Sequence, residues 1–202
     1  CHNVASNCTG EYNTFVGSYA GHENTTGKNN AFFGYETGEM NTEGYANSFF
    51  GTSAGNKNTS GRYNSFFGFE AGYSNTTAKY NSYFGYSAGY SNIIGEYNAF
   101  FGYDAGYHNT ANNNSFFGSN AGTANTTGEW NTFIGKDTGK SNKGAHRNTF
   151  IGAVAGSKNE TGARNTFVGT DAGRENTGGS DNIFVGYQAG LNNQGNDNIF
   201  IG

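Results

Sequence analysis

The residues of this chain that could do chemistry are few, and their spacing does not bring them together. Four histidines, His2, His22, His108 and His146, lie far apart with no cysteine or carboxylate at metal-ligand spacing. The 15 acidic residues are scattered over Asn-, Thr- and Gly-rich turns, so no pair is held at the separation glycoside hydrolysis requires. Serine occurs mainly beside Asn in an apolar motif, as a space-filling residue without a histidine partner. Glycine is abundant, but no Lys follows it in the order a phosphate loop needs. The residues therefore point to no enzyme activity, no metal site and no cofactor. Cys1 and Cys8 precede the first full repeat. Their separation is compatible with a disulfide pinning an N-terminal coil, with a lipidated N-terminal cysteine, or with free thiols.

The aromatic residues are a better candidate. Tyr73, Tyr90 and Tyr107 recur at one interval, and Phe69, Tyr86 and Tyr103 at the same interval. Amphipathic rings set in a row suit stacking on sugars or contact between fibres, and they also stabilise stacked coils. The Asn-x-Ser/Thr sites at Asn7, Asn24, Asn58, Asn75, Asn113, Asn125 and Asn159 fall mostly in turns where a glycan would fit, although the repeat generates them in any case.

What must position these residues is a repeat. Asn, a small or β-branched residue, an aromatic, an apolar residue and Gly recur from Asn13 through Asn30, Asn47 and onward to Asn198, in steps of 17 residues with two steps of 16. A second motif, small-Gly-x-x-Asn, runs between them, as in Ala20-Gly21-His22-Glu23-Asn24 and Ala172-Gly173-Arg174-Glu175-Asn176. A unit this short holds no pair of helices, and its Gly and Asn content disfavours any helix. The period predicts an all-β fold, a β-solenoid or β-roll of about twelve coils. Each coil would hold two or three strands of about 3 to 5 residues, stacked about 4.8 Å apart into a rod some 55 to 60 Å long. Glycines would serve the corners, and stacked asparagines would form amide ladders. Both missing residues fall in turns, as in Asn109-Thr110-Ala111-Asn112-Asn113-Asn114.

Neighbouring strand residues point to opposite faces, so both members of each apolar pair cannot enter one interior. The expected core row is Phe15, Phe32, Phe49, Phe66, Phe100, Phe116, Phe133, Phe150, Phe167, Phe184 and Phe200. The other members, such as Val16, Phe33 and Ile151, would form an outward stripe, well over 1,000 Å² at roughly 100 Å² each, where an ordinary monomer exposes about 300 to 600 Å² in its largest patch. Other copies of the chain are the economical cover, which predicts a homo-oligomeric fibre with a double hydrophobic core.

Composition agrees with order imposed by periodicity. Aromatic residues make up 16% of the chain, too many for disorder, while charged residues make up only 13%. Proline, which would break the ladder, is absent. The net charge of −4 excludes a basic nucleic-acid face, even though 7 of the 11 Lys and Arg follow residue 135. No apolar run is long enough to span a membrane. Residues 1–12 read as a partial coil carrying Cys1 and Cys8. Residues 13–202 read as a shaft without atypical capping repeats, which is the expectation for a fragment of a longer fibre.

Asn-Thr-Phe-Val-Gly-x-x-Ala-Gly-x-x-Asn-Thr-Thr-Gly resembles the repeats of trimeric tail fibre proteins of bacteriophages and contractile injection systems. It is more distantly similar to the repeats of trimeric autotransporter adhesin heads. The resemblance covers residues 3–202. It implies a homotrimeric shaft of an attachment fibre, extracellular, at a cell surface or on a virion or injection particle, with a cell-surface glycan or receptor engaged through regions outside this sequence. The other readings are a self-assembling extracellular filament and a glycan- or ice-binding solenoid that uses a Thr/Asn face or the row Tyr73, Tyr90 and Tyr107.

Overall fold

A 17-residue coil closes only if the backbone turns sharply several times per repeat, and four positions in each repeat do so. The computed structural model describes residues 9–202, which leaves Cys1, His2, Asn7 and Cys8 outside the described residues. Each repeat gives one three-residue strand, from Thr14–Val16 (β1) and Ala31–Phe33 (β2) to Ile183–Val185 (β11) and Ile199–Ile201 (β12). The twelve strands form one parallel sheet in chain order, with Phe49 opposite Phe66 and Phe50 opposite Phe67. Twelve strands bound eleven complete turns of a parallel β-solenoid, and no helix occurs among the described residues.

The expectation of two or three strands per coil is corrected to one. Two non-glycine residues in every coil take left-handed φ values, for example Ser53 at 55° and Tyr63 at 59°, and no extended strand runs through such a residue. A left-handed residue costs about 1–2 kcal/mol, and here its N–H reaches back to the preceding coil. Ser53 donates to the Tyr35 carbonyl at 2.8 Å and Ala46 to that of Lys28 at 2.9 Å. Further round the coil the direction reverses, so that Gly55 donates forward to Ala71 at 2.9 Å and Thr59 to Thr76 at 2.9 Å. The backbone is thus bonded coil to coil around most of its perimeter while only one side is strand.

Two glycines per coil are required by contact. A Cβ on Gly51 (φ 130°) would stand 2.5 Å from the Gly68 carbonyl oxygen of the next coil, and one on Gly55 (φ 58°) would stand 2.5 Å from the Phe49 ring. Phe49 fills the interior against Gly55 and Ala54, so each coil is one aromatic ring thick.

The core is a column of such rings. Phe32, Phe49, Phe66, Phe100, Phe116, Phe133, Phe150, Phe167 and Phe184 are fully buried, with neighbouring ring centroids 4.7–5.0 Å apart wherever Phe follows Phe. Phe15 is partly buried and Phe200 is exposed, because each has a described coil on only one side. Tyr83 occupies the same column and is fully buried, which completes a row read in sequence from its phenylalanines alone.

Two columns of buried Asn line the rest of the interior, where an amide without partners would cost about 1–3 kcal/mol. In the column of Asn24, Asn41, Asn58 and Asn75 the Nδ2 of Asn41, Asn58 and Asn75 each donates to the preceding Oδ1 at 2.7 Å, as an amide ladder should. The column that begins each repeat works differently. Asn30 Oδ1 accepts the Asn47 backbone N–H at 3.0 Å, and Asn30 Nδ2 donates to the Gly44 carbonyl at 2.7 Å, closing its own coil. The same closure survives in both shortened coils, where Asn98 reaches Ala111 and Asn182 reaches Gly195, each at 2.8 Å. The deletions therefore sit in the turn and leave both the Asn closure and the strand ladder in place.

Candidate functional site

The strand places its first and third residues on the outer face of the sheet and its second in the core. The third residues form a continuous apolar stripe along the rod. Phe33, Phe50, Phe67, Phe84, Phe101 and Phe117 stack at 4.7–4.8 Å, and Ile134, Ile151, Val168 and Val185 continue the row. No residue of the stripe is buried: Val16, Phe117, Ile134, Ile151, Val185 and Ile201 are exposed and the others half-buried. Beside each ring stands a small residue, Ser48 by Phe50 and Ala99 by Phe101. Where the stripe thins to Ile134 and Ile151, the neighbours enlarge to Thr132 and Thr149. Narrow and wide residues thus compensate across the strand. Such compensation favours laying a second surface along the sheet.

The rings proposed for binding do form rows. Tyr73, Tyr90 and Tyr107 stack at 5.1 and 4.9 Å with their planes 5° apart, and Lys57 Nζ sits 4.9 Å from the centroid of the Tyr73 ring. They are half-buried, and burial pushes the Tyr90 and Tyr107 phenols above their ordinary range. Because the Tyr90 faces are covered by its neighbours, the row offers ring edges and hydroxyls to a ligand. Phe69, Tyr86 and Tyr103 stack likewise at 5.1 and 5.2 Å. A third row, Tyr63, Tyr80 and Tyr97, stacks at 5.1 and 4.9 Å. The 17-residue interval marks it in the sequence equally well, but sequence reasoning passed over it.

Elsewhere the polar chemistry serves the coil. His146 Nδ1 accepts the Glu129 backbone N–H at 3.0 Å, His22 Nδ1 lies 2.9 Å from Glu23 Oε1, and His108 meets the edge of Tyr107. Among the described residues no three His, Cys, Asp or Glu side chains gather where they could hold a metal ion. The Thr row points its hydroxyls at carbonyls of the next coil, Thr42 to Thr59 and Thr59 to Thr76 at 3.1 Å; it is interrupted at Ile93 and resumes at Thr110 and Thr126. Those hydroxyls are occupied, which removes the regular free array that an ice face would need. Among the described residues no helix is long and apolar enough to cross a membrane.

No family model, no curated protein and no solved structure matches the chain. Function is therefore argued from surfaces. Two stand out: the apolar stripe, and an open depression of about 530 Å³ beside the shortened coil, lined by Ile94, Glu96, Tyr97, Asn112 and Glu129 among others. A smaller one of about 290 Å³ lies next to it by Trp130, the chain's single tryptophan, with Arg147 and Arg164. A further depression of about 360 Å³ lies on the same face of the regular coils, by Tyr45, Arg62 and Lys79, and sequence reasoning anticipated none of the three.

Proposed function

We propose that this chain is a structural segment of an extracellular or virion-borne attachment fibre, a rigid rod in which several copies pack through the outward stripe. The observation that carries this reading is the unbroken column from Phe33 to Phe117 and on through Ile134, Ile151, Val168 and Val185 on the outer sheet face. At about 25 cal/mol per Å², covering a stripe of this kind outweighs the side-chain ordering cost, because stacked rings have little freedom left to lose. Three copies around a common axis is the arrangement implied by the resemblance to trimeric tail fibres, and the work of such a rod is to hold a binding tip at a distance.

The test separates the two faces of one strand. Phe67→Asp puts a charge on the stripe, and Phe66→Asp puts one in the coil interior, where an unpaired charge costs several kcal/mol. Sedimentation equilibrium of the native chain should give an oligomer. Phe67→Asp should give a folded monomer with unchanged far-ultraviolet circular dichroism, and Phe66→Asp should lose structure. A native chain that remains monomeric at micromolar concentration refutes the reading.

A further inference from the structure

The aromatic rows end differently, and one end is open. Tyr97 closes the row Tyr63, Tyr80 and Tyr97, and its second face looks toward the next coil, where the same repeat position holds Asn113. Asn113 N–H donates to the Glu96 carbonyl at 3.0 Å, so the coil there is in register and the aromatic side chain alone is missing. Tyr97 is accordingly 56% exposed, against 43% for Tyr80, which is covered on both faces. The same coil lacks one turn residue between Thr110 and Ala111, and both of these line the depression of about 530 Å³ whose wall includes Tyr97.

Around that open ring the surface is rich in acceptors. Glu96 and Glu129 stand on either side of Asn112, whose Nδ2 donates to Glu129 Oε1 at 3.0 Å and whose Oδ1 accepts the Glu96 N–H at 2.8 Å. Lys79 is paired with Glu96 at 3.5 Å. Exposed Ile94 adds an apolar floor. A free aromatic face binds the C–H face of a pyranose ring, while carboxylate and amide groups at its rim take sugar hydroxyls as donors. Two carboxylates repel an acidic sugar. Glu129 also borders the smaller depression at Trp130, whose wall carries Arg147 and the Asp181-paired Arg164; Trp130 is 58% exposed and stacks on no other aromatic ring among the described residues. Tyr97 and Trp130 are two coils apart, about 10 Å along the rod.

We propose that the shortened coil is a binding site for a neutral oligosaccharide laid along the rod, with Tyr97 and Trp130 as successive platforms and Glu96, Asn112 and Glu129 as hydroxyl acceptors. The proposal is independent of the oligomer reading, since none of the lining residues belongs to the stripe.

The native chain, with Ile methyl and Tyr ring signals labelled for nuclear magnetic resonance, is titrated with cellotriose, maltotriose, mannotriose and chitotriose, with 3′-sialyllactose as the charged control. At least one neutral trisaccharide should give saturable shifts of the Ile94 methyl and Tyr97 ring. Tyr97→Ala should weaken that binding at least tenfold. Inserting one Thr between Thr110 and Ala111, which restores the 17-residue turn, should abolish it with circular dichroism unchanged. Trp130→Ala should weaken the trisaccharide and leave the matching monosaccharide, titrated alongside it, unaffected, and Tyr73→Ala should change neither. The proposal is overturned if no neutral sugar saturates, if the shifts map to Tyr73, Tyr90 and Tyr107, if sialyllactose binds equally well, or if the insertion leaves affinity intact.

Discussion

Tyr83 places the only hydroxyl in the central column of rings, and it breaks the amide ladder beside it. In most coils the second Asn donates to its predecessor, but Asn92 Nδ2 donates to the Tyr83 hydroxyl at 2.7 Å, and Asn75 Oδ1 is left buried without a partner. Burial, the dominant cause, pushes the phenol far above its ordinary pKa, so the group stays protonated at any pH the fold survives. Tyr83→Phe removes the competing acceptor and returns Asn92 to Asn75. The expected outcome is a gain of about 1 kcal/mol, the usual worth of one buried hydrogen bond, seen as a higher urea midpoint with unchanged slope; a lower midpoint would show that the hydroxyl stabilises the coil. That residue 83 enters the core follows from the register of Asn81-Ser82-Tyr83-Phe84-Gly85. That its hydroxyl would take a donor from Asn92 depends on the reach of the ring across the coil, which the repeat does not state.

At the scale of the coil, charged residues form ladders as the amides do, with Lys79–Glu96 alone before residue 140 and the rest in the C-terminal part. Arg164 makes two bonds of 2.7 Å to the Asp181 carboxylate one coil on, Lys158 meets Glu175 at 2.7 Å and Lys143 meets Glu160 at 2.8 Å. Hydrogen bonds from Arg164 and Lys158 hold the Asp181 and Glu175 carboxyls below their ordinary range. A carboxylate whose folded pKa is depressed contributes stability above the ordinary carboxylate range, about pH 4, and that contribution is lost as pH falls through the lower folded value. Asp104 behaves oppositely, since burial raises its pKa and acid favours the folded form there. Amide hydrogen exchange from pH 7 to pH 2.5, corrected for the intrinsic rate, should thus show protection falling across coils 148–181 and holding or rising across coil 98–113. The loss should be small and reduced by salt, because these pairs are exposed. Uniform loss along the rod would refute the assignment. The solenoid, the inward Phe row and the outward stripe were all legible because each follows from a fixed period and alternating strand faces. The single strand per coil was not, because nothing in residue type announces that Val154, Glu70 or Tyr80 adopts a left-handed φ. The backbone bonds between coils enforce it.

For the whole molecule, contacts reach only the neighbouring coils, so stability is a sum of coil terms and coil-to-coil terms. Sequence reading placed Phe100 in the core row of a rod with a double hydrophobic core. The structure places it fully buried inside its own coil, stacked 4.9 Å from Tyr83 and 4.8 Å from Phe116, while Phe101 belongs to the stripe. Phe100→Asp therefore acts first on folding. The unpaired charge removes the coil from 98 to 113 and its two interfaces, and because the remaining coils on each side still stack on one another, the rod should divide into two blocks. Exchange protection should vanish between about residues 81 and 131 and persist on both sides, with two thermal transitions replacing one. Tyr107→Ala, which removes one half-buried ring from the end of a stack, should cost about 0.5–1.5 kcal/mol and keep a single transition. Global loss of protection in Phe100→Asp would mean that the coils do not fold as nearest-neighbour units, and that the stripe, acting through partner copies, couples the rod over its whole length.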